Sequence, residues 1–104
     1  MAENIDLFIL HTNDIHARIE EDQYAGMGMA KLSTLIQKYR KENKNVLLLD
    51  AGDTFHGQII ANLVKGESVA RVLNLLDYDA MVPGNHDFNY GQNRLLELNQ
   101  ITDF

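Results

Sequence analysis

Three short stretches carry side chains able to hold a hard cation and move a proton. Asp14-Ile15-His16 sets a carboxylate and an imidazole two residues apart. In extended backbone that spacing puts both side chains on one side, suited to grip one cation. Gly52-Asp53 offers a second carboxylate behind a glycine. Gly84-Asn85-His86-Asp87 follows Pro83, whose ring pushes the preceding residue toward extended geometry, so this stretch reads as a turn leaving a strand. Its amide oxygen can ligate a cation, its imidazole can move protons, and its carboxylate can fix the imidazole tautomer. Taken singly, each stretch is ordinary turn chemistry. Their position gives them weight, because each follows an apolar run.

Those runs predict the elements that place the three stretches. A first strand is expected over Ile5–Leu10, followed by a polar loop over 17–27. A helix over 28–42 shows Leu32, Leu35, Ile36 and Tyr39 on one face, the i, i+3, i+4, i+7 pattern of an amphipathic helix. Lys38, Arg40 and Lys41 cluster at its end, where positive charge suits the helix dipole. Val46-Leu47-Leu48-Leu49 is apolar without alternation, as in a parallel strand buried on both faces. A short helical piece over Ile59–Val64, closed by Gly66, a helix over 67–77, a strand over 79–82 and a helix over 91–99 complete the chain. This alternation predicts an α/β fold with a parallel sheet, right-handed crossovers and flanking helices. All carboxyl ends of such a sheet lie along one edge, where ligands bind. Asp14 and His16 then follow the first strand, Asp53 the second, and Asn85, His86 and Asp87 the third.

The composition narrows the chemistry. The chain has 104 residues, enough for one small domain, and neither a linker nor an internal repeat divides 1–104. It has no cysteine, so a metal must be held by oxygen and imidazole nitrogen rather than thiolate. Net charge is −6, which argues against a nucleic-acid polymer, whose phosphates need a basic face. No segment is long and apolar enough to span a bilayer. Met1-Ala2-Glu3-Asn4 is polar and acidic, unlike the start of a signal peptide, and the compartment stays open.

Asp14-x-His16, Gly52-Asp53 and Gly84-Asn85-His86-Asp87 together resemble the first three motifs of the calcineurin-like metallophosphoesterases. Leu10-His11-Thr12-Asn13-Asp14-Ile15-His16 and Gly84-Asn85-His86-Asp87-Phe88-Asn89-Tyr90-Gly91 resemble the 5′-nucleotidase branch, over about residues 6–98. Asp87 stands where many members have Glu, and Pro83 where many have an aliphatic residue. The resemblance implies the first half of a four-layer α-β-β-α domain and a hydrolase of nucleotides or related phosphate esters. It implies two divalent metal ions (Mn, Zn, Mg or Fe) and a metal-bound hydroxide attacking phosphorus. Asp14 and His16 would bind the first ion, Asp53 would bridge both, and Asn85 would ligate the second. Asn85 and His86 would contact substrate, with His86 stabilising or protonating the leaving oxygen and Asp87 orienting its ring.

The family completes its metal site with later histidines, including a Gly-His-x-His motif. His11, His16, His56 and His86 form no such motif. The chain is therefore expected to be the N-terminal portion of a catalytic domain, with a C-terminal substrate-recognition domain elsewhere in the full-length protein. A non-catalytic metal-binding or interaction domain is the alternative. His11 is expected to pack or hydrogen-bond behind the ligands and His56 to be an exposed loop residue, with Phe55 and Phe88 in the core.

Overall fold

The computed structural model describes residues 3–104. The elements are β1 (Phe8–Thr12), α1 (Gly28–Glu42), β2 (Val46–Asp50), α2 (Ile59–Asn62), α3 (Glu67–Leu75), β3 (Ala80–Met81) and α4 (Gln92–Ile101), with a 3₁₀ turn over Asn85–Phe88 ahead of α4. The expected order and the parallel sheet are both present, with strands in the order β1-β2-β3. β1 lies further along the chain than its apolar run suggested. Its register starts with Phe8 opposite Val46. Residues 43–45, which would face its first apolar residues, are leaving α1, so Ile5–Leu7 have no ladder to join. At β3 a side chain extends the ladder: the Asp79 carboxylate accepts from Leu48 N at 2.7 Å while Asp79 N donates to Leu48 O at 2.8 Å.

Both connections run in the same direction across the sheet. Right-handed crossovers repeated in one direction place every helix on one face. On that face Met29 and Ile36 of α1, Leu48 of β2, Val69 and Leu73 of α3 and Leu98 of α4 form one buried core. Arg40 of α1 reaches across to the end of α3 and donates to Leu76 O at 2.8 Å and Asp77 O at 2.6 Å. These carbonyls have no helical partner, and a guanidinium there suits the helix dipole. α3 stops short of the expected 77 because Asp77 turns left-handed, with φ 54°.

The other face is bare. The register sets Ile9 beside Leu47 and Leu49 beside Ala80, and Ile9 is 56% and Val82 60% exposed. The β2 run reads as one that needs cover on both faces; among the described residues, helices cover one face only. The unbroken apolar run of β2 needs a second cover that these elements do not supply. Fully burying an aliphatic side chain is worth roughly 1.5–3 kcal/mol, so this face is a strong driver of association. We expect the 104-residue chain by itself to self-associate at micromolar concentration, and Ile9→Thr with Val82→Thr to reduce that association in sedimentation velocity. A strictly monomeric parent chain would contradict this.

Candidate metal centre

Beyond its last strand residue, β1 keeps bonding to the exit of β2. Ala51 N donates to Thr12 O, Asp14 N to Gly52 O, His16 N to Asp53 O and Ala17 N to Thr54 O, all at 2.8–2.9 Å. The two loops therefore leave the sheet edge side by side. They are not extended: Asp14, His16, Ala17 and Asp53 have φ between 48° and 58°, the left-handed region that side chains other than glycine seldom adopt. The pairing of Asp14 with His16 comes from this turn and not from strand alternation. His16 Nε2 lies 3.6 Å from Asp14 Oδ1.

Two buried carboxylates hold the Asp53 loop from either side. Asp50 accepts from Thr12 Oγ1 and Thr54 Oγ1, each at 2.6 Å, and from Gly52 N at 2.9 Å. Thr12 Oγ1 in turn accepts from Tyr78 OH at 2.8 Å. Burial pushes the Asp50 carboxyl above the usual carboxylate range, against the pull of its three donors. From the third strand exit, Asp87 accepts from Asp53 N at 2.7 Å, Thr54 N and Phe55 N at 2.9 Å and Gly84 N at 2.8 Å. Gly52 and Gly84 let these loops touch. A Cβ on Gly52 would meet Val82 O at 2.6 Å and collide with Gly84 N, and one on Gly84 would collide with the Asp53 carboxylate.

The outcome is a cluster at the carboxyl edge of the sheet. Ligand atoms of Asp14, His16 and Asp53 lie within 4.8 Å of one another. Two carboxylates and one imidazole, without thiolate, suit a divalent cation of the Mg, Mn, Fe or Zn kind. Asp53 Oδ1 also accepts from His86 N at 2.8 Å, which draws the turn carrying Asn85 and His86 against the cluster. Both residues are exposed. The His86 ring stands edge-on to His16 with centroids 5.5 Å apart.

Several expectations are revised. Asp87 does not reach the His86 ring, because its carboxylate is taken up by four backbone amides. His86 Nδ1 instead meets Asn89 Nδ2 at 3.1 Å. His56 stacks near His86 and is half-buried rather than free in solvent. His11 is exposed, on the bare face of the sheet. Phe55 is core, whereas Phe88 is 47% exposed. Asp50 and Asn89 escaped the sequence reading, although Asn89 lies one 3₁₀ turn after His86, a spacing at which side chains meet.

With this geometry described, comparison with known proteins is direct. Residues 8–103 match the model for calcineurin-like phosphoesterases. The chain belongs to the calcineurin-like phosphoesterase family. Within it, the relatives it resembles include 5′-nucleotidases. It is 43% identical to a 5′-nucleotidase of Rattus norvegicus, over 92% of this chain and 18% of that protein. It is 46% identical to a snake venom 5′-nucleotidase of Naja atra, over 90% of this chain and 20% of that protein. Among solved structures, the NAD nucleotidase of Haemophilus influenzae superposes with a TM-score of 0.83 at 31% identity, covering 94% of this chain and 19% of that one. The chain thus spans about a fifth of these relatives.

The Asp87 contacts predict a stability phenotype. Asn at this position keeps one acceptor oxygen and sets an NH₂ against amides that need acceptors. We expect Asp87→Asn to cost about 2–4 kcal/mol in chemical denaturation and to weaken metal binding along with it. A cost under about 1 kcal/mol would contradict the clamp.

Proposed function

We propose that this chain supplies the N-terminal half of a dinuclear metallophosphoesterase site that hydrolyses nucleotides or related phosphate esters and anhydrides. The observation that carries the reading is the convergence of Asp14, His16 and Asp53 at one sheet edge with His86 beside them. In this reading Asp14 and His16 would hold one ion, Asp53 would contribute to both, and the Asn85 amide oxygen would serve the second. Two divalent ions, when bound, supply an activated water and offset charge on the phosphoryl group. Residues elsewhere in the full-length protein complete the ligand set, and a further domain there selects the substrate.

His86 stabilises or protonates the leaving oxygen. With the Asn89 NH₂ at Nδ1, the neutral ring carries its N–H on Nε2 and donates a hydrogen bond to that oxygen. Proton transfer uses the imidazolium, whose Nδ1–H is met by the Asn89 amide oxygen once that amide turns. The backbone N–H of the same residue is committed to Asp53, so ring and carboxylate are set relative to each other. Asp87 acts at one remove, by holding the amides of residues 53–55 and 84.

Two experiments on the full-length protein separate these roles. In His86→Asn we expect metal content to stay near the parent value while kcat falls roughly 10²–10⁴-fold, the usual cost of losing a general acid. Parallel loss of metal and activity, by elemental analysis beside kinetics, would make His86 a ligand instead. Asp53→Asn should lose more metal than Asp14→Asn, because it touches both ions. Two ions retained by Asp53→Asn after desalting would end the bridging assignment. Metal binding with no turnover of any phosphate ester would favour a non-catalytic metal-binding role.

A further inference from the structure

We infer that His56 is a second imidazole contact for the phosphoryl oxygens of the bound substrate or product. The proposal rests on the hydrolase reading for its ligand class, a tetrahedral phosphate ester, anhydride or inorganic phosphate. It assigns a residue outside all three metal-site motifs.

The His56 ring is held in place by carbon and by its own backbone, not by bonds to its nitrogens. On one side it lies nearly parallel to His86, at 12° with centroids 6.1 Å apart. Its centroid also lies 5.4 Å from that of Tyr90, at 54°. Tyr90 is itself anchored, donating from its hydroxyl to Asn62 Oδ1 at 2.5 Å. The backbone next to His56 is fixed as well. Phe55 N donates to Asp87, and Gly57 lies so close to the metal loop that a Cβ there would come within 2.8 Å of His16 O. Among the described residues, no hydrogen bond engages either ring nitrogen of His56. An imidazole fixed this firmly, half-buried and free at both nitrogens, is placed to bind something that is not protein.

The spacing defines what fits. The two rings are nearly parallel with centroids 6.1 Å apart, and imidazole N–H groups lie in the ring plane, so a shared ligand must lie along the ring edges rather than between the faces. A group with several oxygens on one centre can accept from the edges of both rings, next to the Asp14–His16–Asp53 cluster, since the His86 ring lies 5.5 Å from that of His16. The carboxylates of that cluster repel an anion unless cations lie between, so the contact works with metal bound.

The test uses the full-length protein loaded with Mn²⁺ and titrated with inorganic phosphate by calorimetry. Losing a hydrogen bond to a charged group lowers affinity by about tenfold or more. We expect His56→Ala to bind phosphate that much more weakly with unchanged metal content, and His56→Gln, which keeps a donor, to stay within about threefold. Tyr90→Phe, which only frees the anchor, should fall between, and it carries the test together with His56→Gln if the alanine variant unfolds. Phosphate affinity unaltered in His56→Ala, or loss of metal in step with phosphate, would overturn the proposal, as would a parent protein that binds no phosphate. Phosphate binding that depends on His56 in a protein hydrolysing no phosphate ester would sink the hydrolase reading and leave this contact. Turnover with phosphate affinity independent of His56 would do the reverse.

Discussion

The Asp87 carboxylate is 1% exposed and, among the described residues, makes no ion pair. A buried carboxylate in that position is costly unless donors replace the water it lost. Four backbone N–H groups do so, three of them from consecutive residues, 53 to 55. Such an array cannot be met by a loop of arbitrary shape. It requires the chain after β2 to curl around one point, and Asp53 accepts a left-handed backbone as a result. Because the fourth donor is Gly84, the same carboxylate ties the exit of β3 to the exit of β2. The candidate ligands on those two exits hold their relative positions through carboxylate-to-amide bonds, from Asp87 and from Asp53 to His86 N.

Asp50 performs the matching task from beneath. Its donors are Thr12, Gly52 and Thr54, so it joins the exits of β1 and β2 as Asp87 joins those of β2 and β3. Three acidic side chains thus sit close together with distinct duties. Asp50 and Asp87 are saturated by hydroxyl and amide donors and face inward. Asp53, between them in sequence and in space, accepts from His86 N and remains available to a cation. A division of this sort between scaffold and ligand carboxylates follows from burial rather than from residue type.

Much of this was legible in the chain. The strand and helix order follows from apolar periodicity, and the placement of Asp14, His16, Asp53 and Asn85 follows from their positions just past apolar runs. What periodicity does not encode is which side chain a polar residue prefers once several are adjacent. Asp87 seemed the natural partner of His86 because it is next in sequence. Backbone amides outcompeted the ring because they are more numerous and already converging, and Asn89 took the vacant nitrogen. The incomplete cover of the sheet could be read from the apolar run of β2 and the small number of elements. A continuous apolar strand reports that both faces need burial, but not which elements provide it. His56 read as a loop residue because its neighbours His86 and Tyr90 are about thirty positions away in sequence.

That long separation has a temporal side. Thr12 and Asp50 meet across 38 residues, and Asp87 reaches Thr54 across 33. Chain closure over such spans must be met before any contact compensates for it. On a ribosome, β1 waits for β2, and the Asp53 loop has no template until Asp87 has been made. The candidate metal edge is therefore assembled after β1, α1, β2 and α3 have been made. Until then its acidic residues lack the geometry to hold a cation together, which would defer metal capture to a chain that has already chosen its topology.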